Sequence, residues 1–466
     1  MSKVEDLKSV GENVLNIAAQ KGADEAEAYL VSNQVLTVRL VNNAVFEAKG
    51  VHDIGVGVRV LKENGLGFSS TAELSPKALE KVVATAMDAS KVRKLPFKYS
   101  FPQPVQPQTV EGVFDEKLAQ LPPEDAVDLA YKMVEESKAY NPKIEDNAGA
   151  LNLVEYHTII MNSHGLSASN KGTFFEASLN ATAKEAGTTS EGSEAKAGRN
   201  LNEFNPAEIG RSAAEMAVSG LKPKGLKEGT YTIILDPEPT AGVAAHISML
   251  VSPLVAKLYY PLFLDKMDAQ VGSSILTVVD DPLMPRGVGS TPVDDEGTPS
   301  KKTVIMKNGV LKAFVYDTFY GAVEKKETTG NAQRAAFAVG VSSFPGKNYN
   351  GEPIPFPFNP YVQPGGWKRD EIIKDTMDGL LVRRFHYSRL TNPTRGDFTS
   401  VLRMGLYNVK NGEVVGAVKK SRLLDNLLDM LKNVDAVSDT LVVGGSWGNY
   451  LHTPVIRTKA YVTPVE

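Results

Sequence analysis

Cysteine is absent from all 466 residues. That absence excludes disulfides, thiolate-ligated zinc, iron–sulfur clusters and a thiol nucleophile. Positive charge is not in excess either: 51 Lys and Arg against 55 Asp and Glu leave a formal charge of −4 and a pI near 6.0. A nucleic-acid partner is therefore not expected, because the electropositive footprint that a phosphate backbone requires is missing. No apolar run reaches the length of a membrane span, and the longest, near Ile247 to Leu264, is interrupted by Ser248, Ser252, Pro253, Lys257 and Pro261. The opening stretch MSKVEDLKSVGENVLNIAAQKG is amphipathic, with scattered charges and no signal-peptide core, so a cytoplasmic protein is expected. A G-x-S-x-G nucleophile elbow is missing too, and Gly287-Val288-Gly289-Ser290 lacks the Lys-Ser/Thr of a phosphate loop.

What is present is an ordinary globular composition, 42% hydrophobic and 23% charged, on a chain long enough for two domains. The most informative stretch runs from Asp280 to Arg334. Its first half sets Gly287, Gly289, Gly297, Pro282, Pro285, Pro292 and Pro299 among Asp280, Asp281, Asp294, Asp295 and Glu296, a density of turn formers that predicts a fixed loop. Its second half predicts a hairpin, Lys302–Met306 and Val310–Tyr316 joined through Asn308-Gly309. The five carboxylates invite a hard cation, but they lack the alternating spacing of a calcium loop, and beside Gly and Pro such groups more often cap turns.

Along the rest of the chain, Val4 to Gln20 reads as a helix, followed by strands at Tyr29–Val31, Val35–Val41, Val45–Ala48 and Ile54–Leu61. A helix opens at Ser75-Pro76. A similar unit recurs about 130 residues later: strands at Leu153–Met161 and Thr173–Thr182, then a helix from Asn205-Pro206, with Leu79 aligned to Ile209 and Ala84 to Ala214. Between the units, Leu95 to Pro123 is a proline-rich connector. Lys184 to Arg199 reads as an exposed arm, and Phe344 to Gly366 as an aromatic-rich surface or cleft loop. Strands then follow at Gly379–Arg384, Val401–Val409, Glu413–Val418 and Val455–Val462, with a helix over Leu423–Asn433. The expected fold class is α+β in two domains: residues 1–224 with duplicated sheet-plus-helix units, and a strand-rich domain over 225–466.

The order of motifs carries a resemblance. Asp280-Asp281-Pro282, Asp294-Asp295-Glu296-Gly297, Asn308-Gly309-Val310-Leu311, Tyr316-Asp317 and Thr329-Gly330-Asn331-Ala332 with Arg334 resemble the TldD/TldE (PmbA, "modulator of gyrase") family of two-subunit metallopeptidases. So do Gly55–Val60 with Arg59, Gly67-Phe68, Asp370-Glu371-Ile372, Gly379–Val382 and Gly396-Asp397-Phe398, although Arg395 stands where the family usually has Thr. The resemblance covers nearly the whole chain.

In catalytic subunits of that family a helix carries H-E-x-x-x-H, with a cysteine near the C-terminus as a further zinc ligand. Here the matching helix offers His246, but Ile247 stands at the general-base position and Val251 at the second imidazole. His157 and His164 are seven apart on a strand and its turn, His52, His386 and His452 are isolated, and Gly444–Gly448 reads as a tight turn with Ser446 near the missing cysteine's place. The resemblance therefore implies a TldE/PmbA-like subunit with no catalytic residue and no metal of its own, zinc being expected in a TldD-like partner. It implies peptide proteolysis through a heterodimer or larger assembly with that partner, or a homodimer, acting on an extended peptide. Candidates for lining the substrate path are His246, Asp295, Glu296, Gly297, Asn331 and Arg334. Two other readings stand beside it: an autonomous metal-dependent hydrolase, and a homodimeric peptide-binding protein without catalysis.

Overall fold

The computed structural model describes residues 4–106, 108–334, 346–446 and 449–465. In the first half, period-two alternation produces six long strands: β1 (Glu25–Val41), β2 (Ala44–Lys62), β3 (Gly65–Thr71), β4 (Ile144–Asn162), β5 (Ser167–Glu185) and β6 (Thr188–Gly198). They form one antiparallel sheet in the order β3-β2-β1-β4-β5-β6. The central pair is β1 on β4, running from Glu27 opposite Asn162 to Leu40 opposite Gly149. Asn42 and Asn43 turn β1 into β2 at φ 51 and 62, the positive angles of a type I′ turn.

Helices Val4–Gln20 and Pro76–Val92 flank β1–β3, and helices Pro123–Tyr140 and Pro206–Ser219 flank β4–β6 in the same way. The half-sheets are thus two copies of one plan meeting at β1 and β4. Ser75 and Asn205 cap equivalent helices by accepting from the amides of Ala78 and Glu208. The first copy buries Leu30, Val56, Val58 and Val60 against Leu7, Val14, Leu79 and Val83. The second buries Leu151, Leu153, Phe175 and Leu179 against Met133, Val134, Ile209 and Ala213.

Several sequence expectations change here. The separate runs Tyr29–Val31 and Val35–Val41 are one strand, because the intervening Asn33 is held by Asp53 and by the carbonyl of Lys347. The arm expected over Lys184–Arg199 is the paired strand β6. Its Gly192 lets the helix behind it approach so closely that a Cβ there would meet the Ala213 carbonyl at 2.1 Å. The helix expected over Leu423–Asn433 begins only at Leu427, because Ser421–Asn426 is recruited into the second sheet. The helix Pro123–Tyr140 has no counterpart in the sequence reading. Trp447 and Gly448 of the expected turn, and Phe344 of the aromatic loop, lie outside the described residues.

The second half is built on a nine-stranded sheet. Gly229–Leu235 sits near its middle, parallel to Asp378–Val382 and antiparallel to Ile456–Pro464. The expected hairpin forms, with Asn308 at φ 51 and Gly309 at φ 76, although only Val310–Leu311 of its second strand is paired. Tyr349, Phe356, Phe358 and Tyr361 of the aromatic loop are buried, and Tyr349 lies against Gly55, its hydroxyl donating to Asp53. Among the described residues no helix is long and apolar enough to cross a membrane.

Candidate functional site

The Asp280–Arg334 segment presses against the helix-free face of the N-terminal sheet, and its carboxylates do two kinds of work. Some cap turns. Asp294 Oδ1 accepts from the amides of Glu296 and Thr298 at 3.0 and 2.9 Å, and its Oδ2 from Ala332 at 3.0 Å. Asp280 accepts from Asn331 Nδ2 at 2.6 Å and from the Asn359 amide at 2.7 Å, while burial pushes its carboxyl up to about 6. Gly297 follows at φ +79, where a side chain is strained and would strike Leu166.

The others bridge to the sheet. Arg59 on β2 donates from Nε to Glu27 Oε1 on β1 at 2.8 Å and from Nη1 to Glu296 Oε1 at 2.8 Å. Glu296 Oε2 accepts from the amide and hydroxyl of Thr318 at 2.9 and 2.7 Å, and Oε1 accepts from Tyr99 of the proline-rich connector at 3.2 Å. Arg334 completes the circuit through Glu27, and its amide donates to Asp295 Oδ2 at 2.7 Å. Tyr29 donates to Asp295 Oδ1 at 2.9 Å. Burial alone would lower the Arg59 guanidinium, but Glu27, Tyr99 and Glu296 hold it well above its ordinary value. Burial, then the charge of Asp295, raises Tyr29.

Five of the six sequence candidates therefore come together: Asp295, Glu296, Gly297, Asn331 and Arg334. They do not face an open path. Asp295, Glu296, Asn331 and Arg334 are 6%, 0%, 0% and 2% exposed, and their polar groups are bonded within the chain. Opposite charges from two parts of the fold satisfy each other there out of water. The residues that sequence reasoning left out are Glu27, Tyr29, Tyr99 and Thr318, and Arg59, which it took only as a motif residue. The available signal was a charge inside an otherwise apolar strand, as in Val58-Arg59-Val60 and Ala26-Glu27-Ala28.

His246 lies apart, on the helix Pro237–Leu250. Its Nδ1 donates to the Gly242 carbonyl at 2.7 Å, its ring meets Phe398 edge-on at 5.1 Å, and burial pushes its pKa down.

With this geometry in view, comparison with known proteins decides the family. The PmbA/TldA metallopeptidase C-terminal domain model matches residues 228–462, just over half of the chain, and the family's central domain and domain 1 match 116–221 and 26–90. This chain belongs to the PmbA/TldD metallopeptidase family. It is 28% identical to a metalloprotease of Methanocaldococcus jannaschii, over 94% of this chain and 92% of that one. It is 22% identical to the metalloprotease PmbA of Escherichia coli O157:H7, over 95% and 94%. Its fold is that of the crystal structure of TldE from Thermococcus kodakarensis, TM-score 0.84 at 21% identity, covering 97% of this chain and all of that one.

Zinc does not fit the PmbA/TldD motif helix of this chain. Ile247 and Val251 are 1% and 0% exposed and packed in the core of the C-terminal half. Neither offers a donor atom. Among the described residues no three His, Asp or Glu side chains converge in a metal-holding arrangement.

Proposed function

We propose that this PmbA/TldD family member is a non-catalytic, TldE/PmbA-like subunit that works in peptide proteolysis by pairing with a zinc-bearing, TldD-like partner in the cytoplasm. The observation that carries the reading is the motif helix, where Ile247 and Val251 belong to a hydrophobic core and His246 is committed to a backbone carbonyl. A helix packed in this way has no use for a metal. The subunit's contribution is then to complete the enclosure around an extended peptide, held through main-chain hydrogen bonds as strand addition permits.

The test is elemental analysis of tag-free protein purified without chelator, followed by peptide hydrolysis assays with and without a TldD-like zinc subunit. The reading expects metal-free protein, no hydrolysis alone and hydrolysis with the partner. Stoichiometric zinc, or hydrolysis by the chain alone, would sink it in favour of an autonomous hydrolase. Peptide binding by a homodimer, with no effect of the partner, would favour a binding protein.

A further inference from the structure

The seam between the N-terminal sheet and the Asp294–Arg334 segment holds more acid than base. Its carboxylates are Glu27 from β1, Asp294, Asp295 and Glu296 from the loop, and Asp317 at the start of the helix Thr318–Glu324, all of them buried. Its cations are the buried Arg59 and Arg334, and Lys347 at the rim, whose Nζ stands 3.7 Å from Asp295 Oδ1. Among the described residues, five carboxylates against three cations leave two negative charges without a counter-ion. The other titratable groups facing the cluster are the phenols Tyr29, Tyr99 and Tyr320, with Tyr156 behind Tyr29 and Arg93 behind Tyr320. Asp280 joins through Asn331 and adds a further acid. None of these supplies a cation inside the seam.

One of the five carboxylates is the poorest provided. Asp317 Oδ1 accepts from the Tyr320 amide at 2.6 Å, but its Oδ2 is enclosed and has no hydrogen-bond partner among the described residues. An ionised oxygen in that position is among the most costly groups a protein can bury, and a protonated one far less so. Asp294 differs, because three main-chain amides donate to its two oxygens. Burial first, and then the charge of Glu296, raise the Asp317 carboxyl well above the ordinary range.

We propose that Asp317 holds a proton at neutral pH, and that this proton locks the N-terminal sheet to the C-terminal half, so that alkaline conditions release the seam. The proposal does not depend on the proteolytic reading. Its sign follows from proton linkage: the folded state binds this proton more tightly than the unfolded chain, so its stabilisation is complete at acid pH and drains away as pH rises through the native titration. On release the new charge sits beside Glu296, which ties β2 to the Thr318 helix through Arg59. The lock therefore acts on a joint between elements far apart in sequence.

Amide hydrogen exchange on the full-length protein from about pH 6 to about pH 10, corrected for intrinsic hydroxide dependence, tests this. The amides of Glu296, Thr318 and Arg334, all donors to seam carboxylates, should lose protection by about tenfold or more. Those of the central strand Gly229–Leu235 should not. Asp317→Asn should weaken that loss. Flat seam protection in the natural protein, or unchanged pH dependence in Asp317→Asn, overturns the proposal. Should the variant fail to fold, infrared spectroscopy of the natural protein decides. A buried carboxylic-acid C=O band present at neutral pH and lost in alkali supports the lock, and its absence at neutral pH refutes it.

Discussion

Replacing Arg59 with leucine removes a cation that serves two buried carboxylates at once. The guanidinium forks onto Glu27, reaches Glu296 through Nη1 and lies over Phe101 at 5.0 Å, with a side chain only 2% exposed. Deleting one partner of a buried ion pair costs about 3–5 kcal/mol. With two carboxylates left behind, the loss at pH 7 belongs near the upper end, about 5 kcal/mol. Proton uptake by a stranded carboxylate relieves part of this loss, and each unit by which pH falls makes that uptake easier by about 1.4 kcal/mol. The deficit relative to the natural protein should therefore shrink as pH falls. Urea unfolding followed by far-UV circular dichroism at both pH values measures it. Arg39→Leu is the control, because its pair with Glu47 is solvent-exposed at 3.7 Å and should contribute below about 1 kcal/mol. A loss under about 1 kcal/mol for Arg59→Leu, or one independent of pH, would refute the view of the seam as a desolvated charge network.

Three further predictions concern other parts of the fold. Gly67→Ala puts a Cβ 1.9 Å from the Ala86 carbonyl, and Gly192→Ala puts one 2.1 Å from Ala213. Each should cost about 1–3 kcal/mol in chemical denaturation, whereas Gly225→Ala, with open space around it, should cost little. The equivalent caps should behave alike: Ser75→Ala and Asn205→Ala each lose about 1 kcal/mol by the same measurement, and a null effect at both would deny them a capping role. Asp280, raised to about 6 from 3.8 by burial, binds its proton more tightly folded than unfolded. Its stabilisation is full below about pH 4 and lost by about pH 6, at most about 3 kcal/mol. Asp280→Asn should flatten the fall in urea midpoint across that window, and an unchanged slope would count against the assignment.

The sequence made the architecture readable where its signals were local. Ser75-Pro76 and Asn205-Pro206 announce helix starts by chemistry that needs no tertiary context, and Asn308-Gly309 announces its turn likewise. Family membership was legible from ordered motifs. The function of the carboxylates was not, because Glu27 and Arg334 are 307 residues apart and only folding makes them partners. Asp295 and Glu296 could be read only as candidates on a fixed loop for the same reason. The helix expected over Leu423–Asn433 began late because Leu423 suits a strand as well as a helix, and pairing opposite Ser400 decided the matter. Gly192 hid the strand character of β6, since its role is to admit a neighbouring helix.

The doubled sheet has a consequence for how the chain is made. β1 ends at Val41 and its central partner β4 begins at Ile144, about a hundred residues later. At about 5–20 residues per second, a ribosome leaves the Glu27–Leu40 edge waiting for several seconds or longer before its mate emerges. Through that interval the nascent half-sheet offers an unpaired border. The second unit is built on the same plan as the first, so a neighbouring nascent chain presents the same kind of border. Tandem linkage counters this by keeping the correct mate at high effective concentration once it appears. The repeat that builds the sheet is thus also its principal route to exchange between molecules, and the covalent joint between the copies biases the outcome toward a single chain.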